Sequence, residues 1–154
     1  MDKEELLKFI QKIVEKTKEL KDKYTYEFNA RVNYACVFCQ SNEEYSHLIE
    51  VAKELGVIVQ ETPTGPIFNI LPLETVSGTL KLVKIRKYYE THTEWGYADF
   101  TVKDYLKFKE KYLNKNGFSI IKRENYEIIE LMERNFDVRG YFAYPPLDEQ
   151  LRIK

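Results

Sequence analysis

The 154-residue sequence is poor in the residues that carry most recognisable chemistry: two cysteines, two histidines, one tryptophan and six glycines. Two thiols cannot build a disulfide framework. Cys36 and Cys39 have the CxxC spacing of a half zinc site, but they lie in VNYACVFC, which reads as a strand. Residues three apart on a strand point to opposite faces, and no second CxxC or HxxxH follows. Both are therefore expected to be structural and buried. No Gly-rich phosphate loop, GxSxG or HExxH is present. No apolar run approaches the ~20 residues of a membrane span. The opening MDKEELLKFIQKIVEKTKELK interrupts its apolar residues with charge, unlike a secretory signal, so a cytoplasmic protein without a membrane partner is expected. Nor is there charge of one sign: 24 Lys+Arg against 25 Asp+Glu leaves a formal net charge of −1, which argues against a duplex nucleic-acid binder.

What the sequence has is apolar and aromatic material. The hydrophobic fraction is 44%, and 12 tyrosines and 9 phenylalanines are present, enough for one packed domain but not for two independent cores. Residues 3–21 predict a helix: Asp2 and Glu5 form a capping box, and Leu6, Leu7, Ile10, Ile13, Val14 and Leu20 make a stripe that must cover the domain's own sheet or a second subunit. Strand 31–38 follows, then a helix opened by Ser41 and Glu44 and closed by Gly56, then strands over 57–61, 67–71 and 79–86. The order then repeats: strand 97–102, helix 104–113, Gly117, and strands 118–122, 126–131 and 136–144, stopped by Pro145-Pro146. The expected organisation is a single α+β domain: an N-terminal helix (1–25), a βαβββ module (31–87), a second βαβββ module (97–144) and a C-terminal tail (145–154).

Polar side chains inside otherwise apolar strands mark either a solvated face or a cavity. Lys84 and Arg86 share one face of the fourth strand. Asp137, Arg139 and Tyr141 share one face of the eighth, and Tyr126, Ile128 and Glu130 one face of the seventh. Asn33, Ala35 and Val37 share one face of the first, and Asn69 lies on the third. Meeting in one cavity, these faces would present cations and phenols, suited to a small anionic ligand that an arginine fork can grip. The expected ligand-binding set is thus Asn33, Asn69, Lys84, Arg86, Glu130, Asp137, Arg139 and Tyr141, with no cofactor. Trp95 is expected to anchor the linker between modules, Gly140 to mark a bulge or a close approach, and His47 to be solvated.

The paired βαβββ order over 31–144, with VNYACVF and GTLKLVKIRK…EWGYADFTV as the nearest local likenesses, resembles the vicinal oxygen chelate superfamily, which includes glyoxalase I and the extradiol dioxygenases. The resemblance implies a glyoxalase-like curved mixed sheet whose half-barrels enclose a ligand. It also implies metal ligands at Asn33, Ala98, Lys84 and one of Asp137, Arg139 or Tyr141. Asn is a poor ligand for a transition metal, Ala is none, and Lys repels a cation, so the implied member has lost its metal. Two other readings stay open: a metal-dependent lyase, isomerase or dioxygenase using His92, Glu94, Asp99, Glu130 or Asp137, and a homodimeric interaction module built on the N-terminal helix.

Overall fold

Asp2 starts the first helix. Its side chain accepts from the Glu5 backbone N–H while the Glu5 side chain caps the Asp2 N–H, and helix α1 runs over Lys3–Tyr24. A computed structural model describes residues 1–153 of the chain. After α1 come β1 (Arg31–Phe38), α2 (Asn42–Lys53), β2 (Gly56–Gln60), β3 (Ile67–Thr75), β4 (Gly78–Arg86), β5 (Gly96–Thr101), α3 (Tyr105–Tyr112), β6 (Phe118–Lys122), β7 (Glu127–Leu131), β8 (Val138–Tyr144) and α4 (Leu147–Gln150). The class is α+β, and the eight strands form one mixed sheet in the order β2-β3-β4-β1-β5-β8-β7-β6. β1 lies parallel to β4, and β5 parallel to β8. The two sets of four meet where β1 and β5 run antiparallel at the centre. No helix is long and apolar enough to cross a membrane among the described residues.

One face of the sheet carries α1, α2 and α3. The α1 stripe settles the alternative left open above, because Leu6, Ile10, Ile13, Val14 and Leu20 are fully buried against this chain's own strands. Each such side chain contributes about 1.5–3 kcal/mol relative to exposure. Gly140 lies under the same helix, where an added Cβ would meet Thr17 Cγ2 at 3.7 Å and Leu131 Cβ at 3.6 Å. The contacts at Gly140, with α1 and β7, are thus ordinary van der Waals ones rather than a close approach, and the β8 ladder runs through it without a bulge. Trp95 also packs on α1, with its ring 5.8 Å from Phe9, as the linker-anchor reading requires. Cys36 and Cys39 are free, buried and on opposite sides of the sheet.

Three sequence expectations need correction. Gly56 does not close α2. It opens β2, where a Cβ would collide with the Asn69 carbonyl oxygen at 2.0 Å. β3 runs four residues further than expected, to Thr75, so the segment read as a connection is mostly strand. Within the tail after Pro146, Leu147–Gln150 form the short helix α4.

Candidate functional site

The sheet face away from the three large helices carries a second apolar cluster: Tyr34, Cys36 and Phe38 from β1, Ile67 from β3, Leu82 from β4, Tyr97 from β5, Ile128 from β7, Tyr141 and Ala143 from β8, and Leu147 from α4. A flat sheet of eight strands would hold its edges about 34 Å apart, seven spacings of about 4.8 Å. Yet Gln60, at the end of β2, and Ile121, on β6, line the same cleft. The sheet is therefore curled, and both edge strands come round to face a shared space. That cleft has a volume of about 660 Å³, within the range of small-molecule sites.

Tyrosines make its floor. The Tyr97 and Tyr141 rings stack with centroids 3.8 Å apart, and Tyr34 meets Tyr97 edge-on with the two hydroxyls 3.0 Å apart. Burial pushes all three phenols up, so they stay protonated as hydrogen-bonding groups. Phe38, buried beside Tyr97, carries two guanidinium groups, Arg86 at 5.4 Å and Arg139 at 5.5 Å from its ring centroid. His92 meets the Phe38 edge at 5.1 Å. Burial, followed by the Arg86 and Arg139 charges, pushes its imidazole below the ordinary value.

The charges divide into two kinds. Arg139 is satisfied: Nε and Nη2 donate to the two Glu94 carboxylate oxygens at 2.9 and 3.1 Å, and Nη1 donates to Glu130 Oε2 at 3.2 Å. The fork ties the 87–95 loop, which bears Glu94, to β8 and β7. Gln40 holds the same loop through the Glu94 carbonyl at 2.9 Å. Lys84 and Arg86 are different. Among the described residues neither has a carboxylate within ion-pair distance, and Arg86 Nε is buried without a hydrogen-bond partner. The Arg86 guanidinium rests instead between Phe38 and Tyr89, 5.3 Å from the latter's ring. At the exposed rim Glu61 and Arg123 face the cleft with opposite signs.

Five of the eight expected site residues therefore converge: Lys84, Arg86, Glu130, Arg139 and Tyr141. Three do not. Asp137 is exposed and precedes β8, where its carbonyl accepts from the Trp95 N–H at 2.7 Å. Asn69 is half-buried on β3 outside the cleft. Asn33 lies at a bulge between Val32 and Tyr34. The extra residue reverses the alternation, so Ala35 and Val37 face the helices while Tyr34, Cys36 and Phe38 face the cleft. Asn33 itself lines a neighbouring cavity of about 760 Å³, where it donates to Thr101 Oγ1 and accepts from the Asp148 N–H. Leu147 borders the cleft and Asp148 the neighbouring cavity, so α4 stands between them.

Sequence reasoning missed the tyrosine slab, Phe38 and α4. The alternation of Tyr34, Cys36 and Phe38 carried the signal for the first two, but a bulge cannot be placed from that alternation. His47 is exposed, with Nε2 2.7 Å from the Met1 carbonyl oxygen. Among the described residues no three His, Cys, Asp or Glu side chains gather where one cation could bind them all. Ala98, one of the positions implied as a ligand, is buried in the helix-side core.

No family model matches the chain, and no curated protein matches it significantly. A solved structure described as "Structural Genomics, Protein EC4020" superposes on 93% of this chain and 87% of its own with a TM-score of 0.69, at 10% sequence identity. That similarity is one of fold alone, and the description carries no activity.

Proposed function

We propose that the protein binds a small anionic molecule with a planar ring, held without metal between the two halves of the curled sheet. One observation carries the reading: Lys84 and Arg86 stand side by side on β4, facing a tyrosine-floored cleft, with no carboxylate within ion-pair distance among the described residues. Both are half-buried, where a cation without a counter-charge carries part of the cost of a buried charge, and a bound carboxylate offsets that cost while its ring lies on the Tyr97–Tyr141 slab. The frame we assign to it is a metal-free, glyoxalase-like pair of modules. In support, each module closes with its last strand parallel to its first, β4 on β1 and β8 on β5. The donor-poor positions Asn33, Ala98 and Lys84 support the metal-free part.

The test is calorimetric titration with 2-naphthoate. Wild type is expected to bind. Arg86→Met is expected to weaken binding about tenfold or more, equivalent to about 1.4 kcal/mol. Lys103→Met, in the neighbouring cavity, should leave it unchanged. Equal affinity for wild type and Arg86→Met, or no binding by wild type at about 1 mM ligand, would overturn the proposal.

A further inference from the structure

Lys84 differs from every other cation around the cleft. Arg139 has two carboxylates and Arg86 has two aromatic rings, whereas Lys84 has neither an ion pair nor a hydrogen bond among the described residues. Its register neighbours are Cys36 on β1 and Ile67 on β3. Neither supplies a negative charge, because burial holds the Cys36 thiol up at about 11 and so protonated. Arg86 lies two residues further along the same strand face, roughly 7 Å away. Burial, the largest cause, pushes the Lys84 amine below its ordinary value, and the Arg86 charge adds to that shift. Lys84 still lines the cleft, so a ligand can reach its side chain. A desolvated lysine beside a second cation is the arrangement that makes an amine nucleophilic at neutral pH.

We propose that Lys84 is a covalent carbonyl-binding residue, forming an imine with the aldehyde or ketone of a small acid whose carboxylate rests on Arg86. The proposal depends on the anion site described above and adds a reaction to it. The Nζ lone pair attacks the carbonyl carbon, forming the C–N bond as the C=O π pair moves to oxygen. A proton passes from nitrogen to that oxygen, giving the carbinolamine. Protonation of the hydroxyl from solvent lets it leave as water as C=N forms, and the remaining N–H proton returns to solvent. Amine and carbonyl become imine and water, and nothing is oxidised or reduced. Arg86 supplies orientation: a para-substituted ring spans most of the interval between an anchored carboxylate and an amine two residues along the strand.

The test is reductive trapping. Wild-type protein is incubated with 4-formylbenzoate and cyanoborohydride, and the adducts are located by peptide mass spectrometry. The expected result is preferential labelling of Lys84 over the exposed Lys53, by about tenfold for each unit by which the Lys84 amine is more readily deprotonated. 2-Naphthoate should protect Lys84. In Arg86→Met, Lys84 should lose its preference for 4-formylbenzoate over uncharged benzaldehyde. Lys84→Arg, checked by circular dichroism for folding, keeps the charge and should lose the adduct. Labelling of Lys84 no faster than Lys53, in protein that binds 2-naphthoate through Arg86, overturns the imine and leaves the anion site standing. Absence of both labelling and binding overturns the two together.

Discussion

Replacing Arg139 with Met tests the charge network that shapes the cleft. Methionine keeps much of the apolar stem and removes the guanidinium, which is 11% exposed and donates three charge-assisted hydrogen bonds. Removing one member of a buried pair costs about 3–5 kcal/mol, mostly because the partner's charge is left behind. Two carboxylates are stranded here, and they differ. Glu94 sits on the 87–95 loop and can swing toward water. Glu130, 11% exposed, is held on β7 between β6 and β8 and cannot. The lower end therefore applies, about 3 kcal/mol, a large share of the 5–15 kcal/mol typical of a domain. With a urea m-value of about 2 kcal/mol per molar, the midpoint should fall by about 1.5 M. Adding Glu130→Gln to Arg139→Met should recover about half of the loss, because it removes the stranded charge. The pH dependence has a defined sign. In wild type, burial pushes the Glu94 carboxyl up, but the Arg139 fork more than offsets it, and the carboxyl lies below its ordinary value. The contribution of a depressed carboxyl is present above its unfolded pKa and is lost as pH falls through the folded one. This narrows the gap between wild type and variant on acidification. A neutral-pH loss below about 1 kcal/mol, well short of the buried-pair range, or a gap that widens in acid, would refute the reasoning.

Two further outcomes follow from buried ionisable groups. Asp99 is fully buried; Oδ1 accepts from the Ala143 N–H at 2.9 Å, Oδ2 has no partner, and burial holds the carboxyl well above the usual carboxylate range. A raised acid favours folding below its unfolded pKa and loses that contribution as pH rises. The stability of Asp99→Asn relative to wild type should therefore grow with pH from about 4 upward, by at most about 1.4 kcal/mol per pH unit, and urea titrations giving a pH-independent difference would exclude a neutral Asp99. Lys21 is also fully buried; its ammonium donates to Asp22 Oδ1 at 2.6 Å and to the Glu27 carbonyl, over the Phe100 ring. Lys21→Ala removes three methylenes at about 0.8 kcal/mol each and orphans a carbonyl, so urea unfolding should show a loss of about 4 kcal/mol, with Lys21→Met losing roughly half as much; a loss below 1 kcal/mol for the alanine variant would contradict the burial.

The architecture was legible in the sequence wherever periodicity was regular. The α1 stripe, the capping box at Asp2 and the two rounds of strand, helix and three strands all appear as read. The site was legible where a strand kept its alternation. Lys84 with Arg86, and Arg139 with Tyr141, fall on the cleft face because β4 and β8 alternate cleanly through those pairs. Asn33 failed because one bulge residue reverses the parity of β1, a tertiary choice that the local pattern VNYACVF does not encode. Asp137 failed because β8 begins at Val138, two residues later than the expected 136. Glu94 was weighed only as a metal ligand. Its arginine partner lies 45 residues away, and no local signal connects them. α4 is a single turn after two prolines and is held by burial of Leu147 rather than by any helical periodicity.

The central claim is the sign of the ligand. It is tested most directly by titrating the protein with two molecules that share one ring system, 2-naphthoate and 2-naphthylmethylammonium. Lys84 and Arg86, without an ion pair among the described residues, predict that the carboxylate binds, that the ammonium does not, and that Arg86→Met weakens carboxylate binding about tenfold or more. Tighter binding of the ammonium, lost on Glu130→Gln, would place the working charge of the cleft on Glu130 and contradict the account.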